Sequence, residues 1–199
     1  MEVGLKYQPL GSDDLYTVSL FDLEQSNLSS KDSNESFFRS VGEITSRGVE
    51  VEARLRPRDN LNVLASYTWM DVEYSKDYVG TVGVNNRGNT PNAVARNMAA
   101  LWADYTLDGG PLAGLQIGAG ARYFGKSWAD AENTLRLPSY TLYDAMLGYD
   151  LSRVGLDGLG VRLNLNNLTD EKYVAACNSL NQCYYGEARN LMATLTYDF

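Results

Sequence analysis

The sequence contains no histidine, only two cysteines and no long apolar run. Without histidine, the chain has no Ser-His or Cys-His pair of the kind that nucleophilic catalysis uses. A zinc or copper site is not expected from two cysteines alone, and no Gly-Lys-Ser/Thr phosphate loop occurs. We therefore expect no catalytic residues, no metal site, no cofactor and no enzyme activity. Because no stretch approaches the roughly 20 apolar residues of a membrane helix, a helical membrane protein is excluded.

Positive charge is also scarce. The chain has 17 Lys and Arg against 25 Asp and Glu, which gives a net charge of -8. An acidic chain repels nucleic acid, so nucleic acid is not an expected partner. A length of 199 residues is enough for one domain. Two cysteines six positions apart can close a small disulfide loop in an oxidising compartment, or can remain free thiols.

What the sequence does contain is alternation with a period of two. In the last run of the chain, one side is nearly all apolar and the other is mostly small and polar. The apolar side ends in aromatics and comprises Arg189, Leu191, Ala193, Leu195, Tyr197 and Phe199. This period predicts a β-strand. A soluble sandwich gives a weaker form of the same pattern, whereas outer-membrane barrels turn such an apolar face toward lipid.

The same alternation recurs along the chain and predicts about nine strands with no convincing helix. Apolar positions alternate clearly over residues 49–55, 61–69, 99–107, 115–123, 141–149 and 161–165. The second strand, residues 15–27, is ambiguous in phase, because Tyr16, Val18 and Leu20 compete with Leu15, Phe21 and Leu23. The connections are alternately short and long, and the long ones are predicted at 27–42, 73–95, 125–137 and 175–182. Short turns at one end and long loops at the other are typical of a transmembrane barrel.

The two faces of the predicted strands support this interpretation. Aromatic residues cluster toward both strand ends around small aliphatic residues, like the aromatic belts of membrane proteins. The opposite face carries Glu50, Glu52, Arg54, Gln116, Arg122, Asp144, Asn164 and Asn166. Lys or Arg at the bilayer midplane costs about 2–4 kcal/mol, so these side chains are expected to face a wet lumen or a plug. Glu50 and Glu52 could suggest acid/base chemistry, but wall charges of a lumen explain them better.

Several motifs occur in one order at fixed spacing. Residues 166–174, NNLTDEKYV, resemble the "NNLxDxxY" segment near the end of TonB-dependent siderophore receptors, and Tyr185-Gly186-Glu187-Ala188-Arg189 resembles the aromatic-Gly-x-x-Arg that opens their last strand. Residues 46–52 resemble their "RGxExE" strand, and residues 65–69 their "xSYTY" strand. Cys177 and Cys183 resemble the loop cysteine pair of ferrichrome-type members, and Phe199 their terminal aromatic.

The resemblance implies a fold, a function and a set of site residues. The fold is an all-β, antiparallel transmembrane β-barrel, of which residues 1–199 form the C-terminal portion without the plug domain. The implied function is uptake of a ferric siderophore across the bacterial outer membrane, driven by TonB. Implied partners are outer-membrane lipid, the ferric siderophore and the outer-membrane assembly machinery, with TonB engaged only through the missing N-terminal region.

Particular residues acquire roles from the same resemblance. Aromatic residues of the plug and the outer lumen bind the siderophore in this family, and the candidates here are Tyr74, Tyr78, Trp128, Tyr184 and Tyr185. The alternative is that these residues anchor loops or lie at the membrane interface. Cys177 and Cys183 are expected to form a disulfide, and Tyr197 and Phe199 to act as the membrane-assembly signal. Ferrichrome receptors carry an aromatic ligand contact just after the first loop cysteine, where this chain has Asn178. This difference points to a siderophore other than ferrichrome.

An alternative remains open at this point. The nine or ten predicted strands belong either to a 22-stranded receptor barrel or to a small closed barrel. In the second case the protein would be a stand-alone outer-membrane barrel with a structural or adhesive role and no transport. No signal peptide is visible, because strand-like Val3, Leu5 and Tyr7 directly follow Met1. An outer-membrane protein needs such a signal, so we expect the chain to be part of a longer precursor.

Overall fold

The computed structural model describes residues 1–30, 39–76 and 85–199. Its main element is one sheet of nine antiparallel strands, in the order β1-β2-β3-β4-β5-β6-β9-β10-β13. These strands are β1 Glu2–Tyr7, β2 Leu15–Ser30, β3 Arg39–Arg58, β4 Leu61–Lys76, β5 Asn97–Thr106, β6 Gln116–Phe124, β9 Tyr140–Asp150, β10 Leu159–Asn166 and β13 Asn190–Tyr197. The all-β antiparallel fold and the number of long strands are thus confirmed. The sheet is open, with β1 and β13 at its two edges.

Two short hairpins complete the strands. One pairs β7 Ser127–Trp128 with β8 Arg136–Leu137, and the other pairs β11 Val174–Ser179 with β12 Gln182–Tyr185. A single 3-10 turn, Leu151–Val154, lies between β9 and β10 and is capped by the Asp150 carboxylate, which accepts a hydrogen bond from the N–H of Ser152. Of the residues described, none forms a helix long and apolar enough to cross a membrane.

The strand register places the alternating residues on two continuous faces. Residues paired across neighbouring strands share a face of the sheet. One row of pairs therefore extends across seven strands on what we call the apolar face, and its members are Leu5, Val18, Val51, Tyr67, Ala99, Tyr123 and Thr141. This row settles the phase of β2, because Val18 pairs with Val51, which puts Tyr16, Val18 and Leu20 on the apolar face. Leu15, Phe21 and Leu23 lie on the other side, the polar face.

Burial in this sheet is inverted relative to a soluble protein. Large side chains of the apolar face are exposed, and Leu101 and Leu195 keep 53% and 68% of their surface accessible. The buried hydrophobic residues in the described ranges lie instead on the polar face or in the loops: Val72, Tyr74, Leu142 and Met146 on the face, and Ala129, Leu137 and Cys177 in the loops. A continuous exposed apolar surface of this size requires an apolar partner, and lipid fits a transmembrane barrel.

The polar face holds the charged residues that the sequence pattern assigned to a lumen wall. Arg122 and Asp144 form a bidentate ion pair on adjacent strands, with Nε to Oδ2 at 2.7 Å. Nearby, the Trp102 ring packs closely against β6: a Cβ atom at Gly118 would be only 2.5 Å from Trp102 Cζ2. Gly118 and Gly120 are therefore required to be small by the tryptophan on the neighbouring strand.

All four predicted long loops need correction. Residues 27–42 were expected to form a long loop, but β2 continues to Ser30 and β3 already begins at Arg39. The predicted loops at 125–137 and 175–182 each contain one of the short hairpins, and β4 continues to Lys76. The Ser/Asn-rich composition was misleading because a strand segment beyond the membrane needs no apolar residue toward lipid. A strand of 20 residues such as β3 greatly exceeds the roughly 9–11 that cross a bilayer.

Candidate ligand-binding mouth

Three long connections lie at the same end of the sheet and are joined by side-chain hydrogen bonds. We call residues 85–96, 125–139 and 167–189 the first, second and third outer loops. Asn133 fastens the first loop to the second: its Nδ2 donates to the Thr90 carbonyl at 2.7 Å, and its Oδ1 accepts from the Thr90 N–H at 2.9 Å. Asn92 Nδ2 donates to the Cys177 carbonyl at 2.6 Å and so connects the first loop to the third.

The turn of the second outer loop is built around Asp130. Its carboxylate accepts hydrogen bonds from the N–H groups of Thr134 and Leu135 and from the Thr134 hydroxyl, at 2.8–3.1 Å. Burial raises the pKa of the Asp130 carboxyl, but these hydrogen bonds, first those from the Leu135 and Thr134 backbone, outweigh burial and lower the pKa below its usual value. The ionised form of Asp130 is therefore the one that the loop stabilises.

The third outer loop carries the disulfide. Cys177 and Cys183 pair across the β11–β12 hairpin and are bonded to each other, as the resemblance implied. Cys177 is fully buried against Ala129 and Leu137 of the second loop, with Val174 beside them. This small apolar core fixes the position of the hairpin relative to the second loop.

Below the loops, three aromatic rings form a column on the polar face of β6 and β9. Phe124 and Tyr140 are register partners whose ring centroids are 5.1 Å apart, and Tyr140 stacks in turn on Tyr173 of the third loop at 4.2 Å. We call Phe124, Tyr140 and Tyr173 the aromatic column. All three rings are half-buried. The column joins the strand wall to the base of the disulfide loop.

Asn167 is a buried polar residue at the start of the third outer loop. It is 3% exposed, and its side chain donates to the carbonyls of Glu171 and Glu187 while accepting from the Glu171 N–H. Its own N–H donates to Asp144 Oδ1 at 3.0 Å, the carboxylate already paired with Arg122. Asn167 thus shapes the turn that brings Tyr173 against Tyr140.

The predicted ligand contacts lie in different environments. Tyr184 and Tyr185 project from β12 with 49% and 82% of their surface exposed, and Trp128 is half-buried on the second loop. Tyr74 is only 5% exposed, because the first outer loop pairs with its backbone through Asn89 and Gly88. Tyr78 lies outside the described residues. The structure therefore places Trp128, Tyr184 and Tyr185 where solvent reaches them and Tyr74 beneath a loop.

Two further predicted positions are at the opposite end of the sheet. Tyr197 and Phe199 are exposed, and their ring centroids are 6.3 Å apart. Their role as an assembly signal stays a prediction. Sequence reasoning did not single out the aromatic column as a unit. The alternation pattern could have revealed it. Phe124 and Tyr140 are aromatic residues that fall on the polar face at the loop end of their strands, where a contact with lipid cannot explain them.

Fold, faces and loop arrangement define a class of protein: an outer-membrane β-barrel whose wall has one lipid-facing and one lumen-facing surface. Residues 1–168 match the family model described as TonB dependent receptor-like, beta-barrel. The chain belongs to this family and is a protein of the bacterial outer membrane.

Individual relatives are similar over the whole chain. It is 46% identical to the ferrioxamine receptor of Yersinia enterocolitica over 200 residues, and 43% identical to the ferrichrome outer membrane transporter/phage receptor of Escherichia coli K12 over 199 residues. The crystal structure of the siderophore receptor PiuA from Acinetobacter baumannii matches 98% of the chain with a TM-score of 0.79 and 29% identity. The chain spans 27%, 26% and 28% of these three proteins, about a quarter of their length.

Proposed function

We propose that this chain is a segment of the barrel wall of a TonB-dependent receptor that takes up a ferric hydroxamate siderophore. The observation that carries the proposal is whole-chain similarity, at 46% and 43% identity, to receptors named for ferrioxamine and ferrichrome. The siderophore and the TonB complex are partners of the complete receptor, and energy-coupled transport is the activity of the complete receptor. No cofactor beyond the ferric siderophore itself, which is cargo, enters this proposal.

The siderophore contacts proposed for this segment are the exposed aromatics of the outer loops. Tyr184 and Tyr185 are exposed on a hairpin that a disulfide and a small apolar core hold in place. A rigid support lowers the entropy cost of binding, and aromatic rings offer large contact area to the methylene segments of a hydroxamate. Asn178 donates to the Tyr184 hydroxyl at 3.4 Å, so the position after the first cysteine orients a neighbour instead of contributing a ring. The absence of a ring at this position supports a ferric hydroxamate other than ferrichrome.

The test uses the full-length receptor and two ferric hydroxamates, ferrioxamine B and ferrichrome. Isothermal titration of Tyr185→Ala should show binding weakened by about tenfold, since full burial of a large apolar side chain contributes roughly 1.5–3 kcal/mol and tenfold corresponds to about 1.4 kcal/mol. Tyr143→Ala, which removes an exposed tyrosine from the apolar face instead of the outer loops, is the control and should bind like the unmodified receptor. Absence of submicromolar binding to both siderophores would overturn the proposed ligand class.

The chain by itself is expected to lack this activity. The unpaired edges of β1 and β13 leave backbone groups that cost several kcal/mol each in hydrocarbon, so the sheet needs further strands to persist in a membrane. Uptake of radioactive iron as the ferrioxamine complex should occur in cells that express the full-length receptor with an intact TonB system. Cells that express the 199-residue chain alone should show none, and uptake by them would favour a self-sufficient small barrel.

A further inference from the structure

A small cationic cavity lies between the first and second outer loops. Its volume is about 200 Å³, and it is lined by Gly88, Thr90, Val94, Arg96, Lys126, Trp128, Asn133 and Arg136. Three of these residues are cationic, and among the described residues no carboxylate contributes to the lining. Since the chain carries a net charge of -8, this concentration of positive charge does not follow from composition. We call this feature the cationic cavity.

The positive charge of the cavity is only partly balanced. Arg96 forms an ion pair with Asp71, with Nη2 to Oδ1 at 2.7 Å. For Lys126 and Arg136, no ion pair is found within residues 1–30, 39–76 and 85–199. Asp130, the carboxylate closest in sequence to Lys126, is committed to the Thr134 and Leu135 groups of its own turn. Two cations at the cavity are therefore available to an external anion.

The walls of the cavity are held in place before any ligand binds. The paired hydrogen bonds between Thr90 and Asn133 close one side, and the Ala93 N–H donates to the Trp128 carbonyl at 2.9 Å. The guanidinium of Arg136 lies 5.5 Å from the centroid of the Trp128 ring. This cation–π contact restrains a long side chain that would otherwise lose rotamer freedom on binding.

Size and chemistry together restrict the ligand. Pockets that enclose a whole drug-sized molecule measure roughly 300–1,000 Å³, so the cationic cavity is too small for a siderophore. Guanidinium and ammonium groups recognise phosphate oxygens through charge-assisted hydrogen bonds, and the guanidinium does so bidentately. We infer that the cationic cavity is a binding site for a phosphate group, held by Lys126 and Arg136 at the outer mouth of the barrel. The phosphate is either free or part of a phosphorylated outer-leaflet glycolipid.

The first experiment uses inorganic phosphate and the full-length receptor in detergent. Phosphorus NMR line broadening should show saturable binding, and the double variant Lys126→Gln/Arg136→Gln should weaken it about tenfold or more. Arg87→Gln, which removes an exposed arginine of the first outer loop outside the cavity lining, is the control and should leave binding unchanged. Lys126→Arg retains the charge and should retain binding. Urea unfolding of every variant shows whether each remains folded.

The second experiment distinguishes the two phosphate sources. The receptor is reconstituted in phosphatidylcholine nanodiscs with and without bisphosphorylated lipid A, and bound lipid A is quantified by mass spectrometry. If the unmodified receptor and Arg87→Gln retain lipid A and the double variant does not, the glycolipid headgroup is the source of the phosphate. Binding of inorganic phosphate without lipid A retention identifies free phosphate. The inference is overturned if neither probe binds, or if the folded double variant binds both as well as the unmodified receptor.

Discussion

The ring of Tyr173 occupies the space that a side chain at position 186 would need. A Cβ atom at Gly186 would overlap Cζ, Cε2 and the hydroxyl of Tyr173, and the Gly186 N–H donates to the Tyr173 carbonyl at 2.9 Å. The two residues belong to separate motifs of the sequence, one before and one after the disulfide hairpin. Their contact closes the base of the third outer loop and presses Tyr173 onto Tyr140.

Gly186→Ala should therefore displace the Tyr173 ring and loosen the third loop. Forcing an extra methyl into a packed site costs typically about 1–3 kcal/mol. Urea unfolding of the full-length receptor would measure the loss, and limited proteolysis would localise it to residues 167–189. Gly109→Ala is the matched control, because a Cβ atom there meets nothing within 4 Å. Equal stability of the two variants would show that Tyr173 moves aside without cost.

The Arg122–Asp144 pair should be coupled energetically. Contacting residues in one ion-pair network show coupling of about 0.5–3 kcal/mol in a double-mutant cycle. We expect a cycle of Arg122→Gln and Asp144→Asn, measured by urea unfolding, to fall in this range. Arg162→Gln provides the comparison: this exposed arginine on the same face has no ion pair within the described part of the chain. Combined with Asp144→Asn, it should be additive within about 0.5 kcal/mol.

Asp130 makes the second outer loop sensitive to acid. Because the pKa of its carboxyl is lower in the folded loop than the roughly 3.9 of an unfolded chain, Asp130 stabilises the loop fully above that value. The contribution should disappear as the pH falls from about 4 toward the folded-state pKa. Hydrogen exchange of the Thr134 and Leu135 amides should then become faster, relative to exchange of the same amides in the Asp130→Asn variant at the same pH. A constant ratio between the two proteins from pH 6 to pH 3 would contradict this.

The period-two alternation of the sequence predicts most of the sheet but not the outer ends of its strands. Strand number, the faces of β3 and the later long strands and the polar location of Arg122 and Asp144 follow from alternation, because one face must be apolar wherever lipid covers it. The phase of β2 does not, and only its pairing with β3 settles it. The outer ends of β2 and β3 were predicted as a loop, because a strand segment that no lipid covers has no such alternation. Residues 39–44 illustrate this, since backbone pairing alone continues the strand there.

The candidate site was predictable only in part. The disulfide and the exposure of Tyr185 agree with expectation. The aromatic column and the Thr90–Asn133 clasp each join residues from segments far apart in the chain. No local pattern predicts such contacts, because they depend on which loops the strand order brings together. The burial of Tyr74 has the same origin, since it is caused by a loop that begins more than ten residues later.

The disulfide should restrain the third loop without supporting the barrel. It closes a loop of sequence separation six, and short closures remove little entropy from the unfolded chain. Mass spectrometry of unreduced protein from an oxidising compartment should find no free thiol. After reduction, proteolysis should cut within residues 174–185 while the urea midpoint of the barrel stays nearly constant. A large drop in that midpoint would show that the apolar contacts of Cys177 with Ala129 and Leu137 support the wall as well.

The assignment of faces can be tested directly by spin labelling. Val51 and Leu195 lie on the apolar face, and their neighbours Glu52 and Thr194 lie on the polar face. In the lipid-reconstituted full-length receptor, nitroxides at Val51 and Leu195 should be relaxed by oxygen, which partitions into lipid. Nitroxides at Glu52 and Thr194 should respond to a water-soluble nickel chelate, or to neither reagent where the lumen is filled. Because a shift of one residue moves every side chain to the opposite face, the reversed pattern would rule out the register described here.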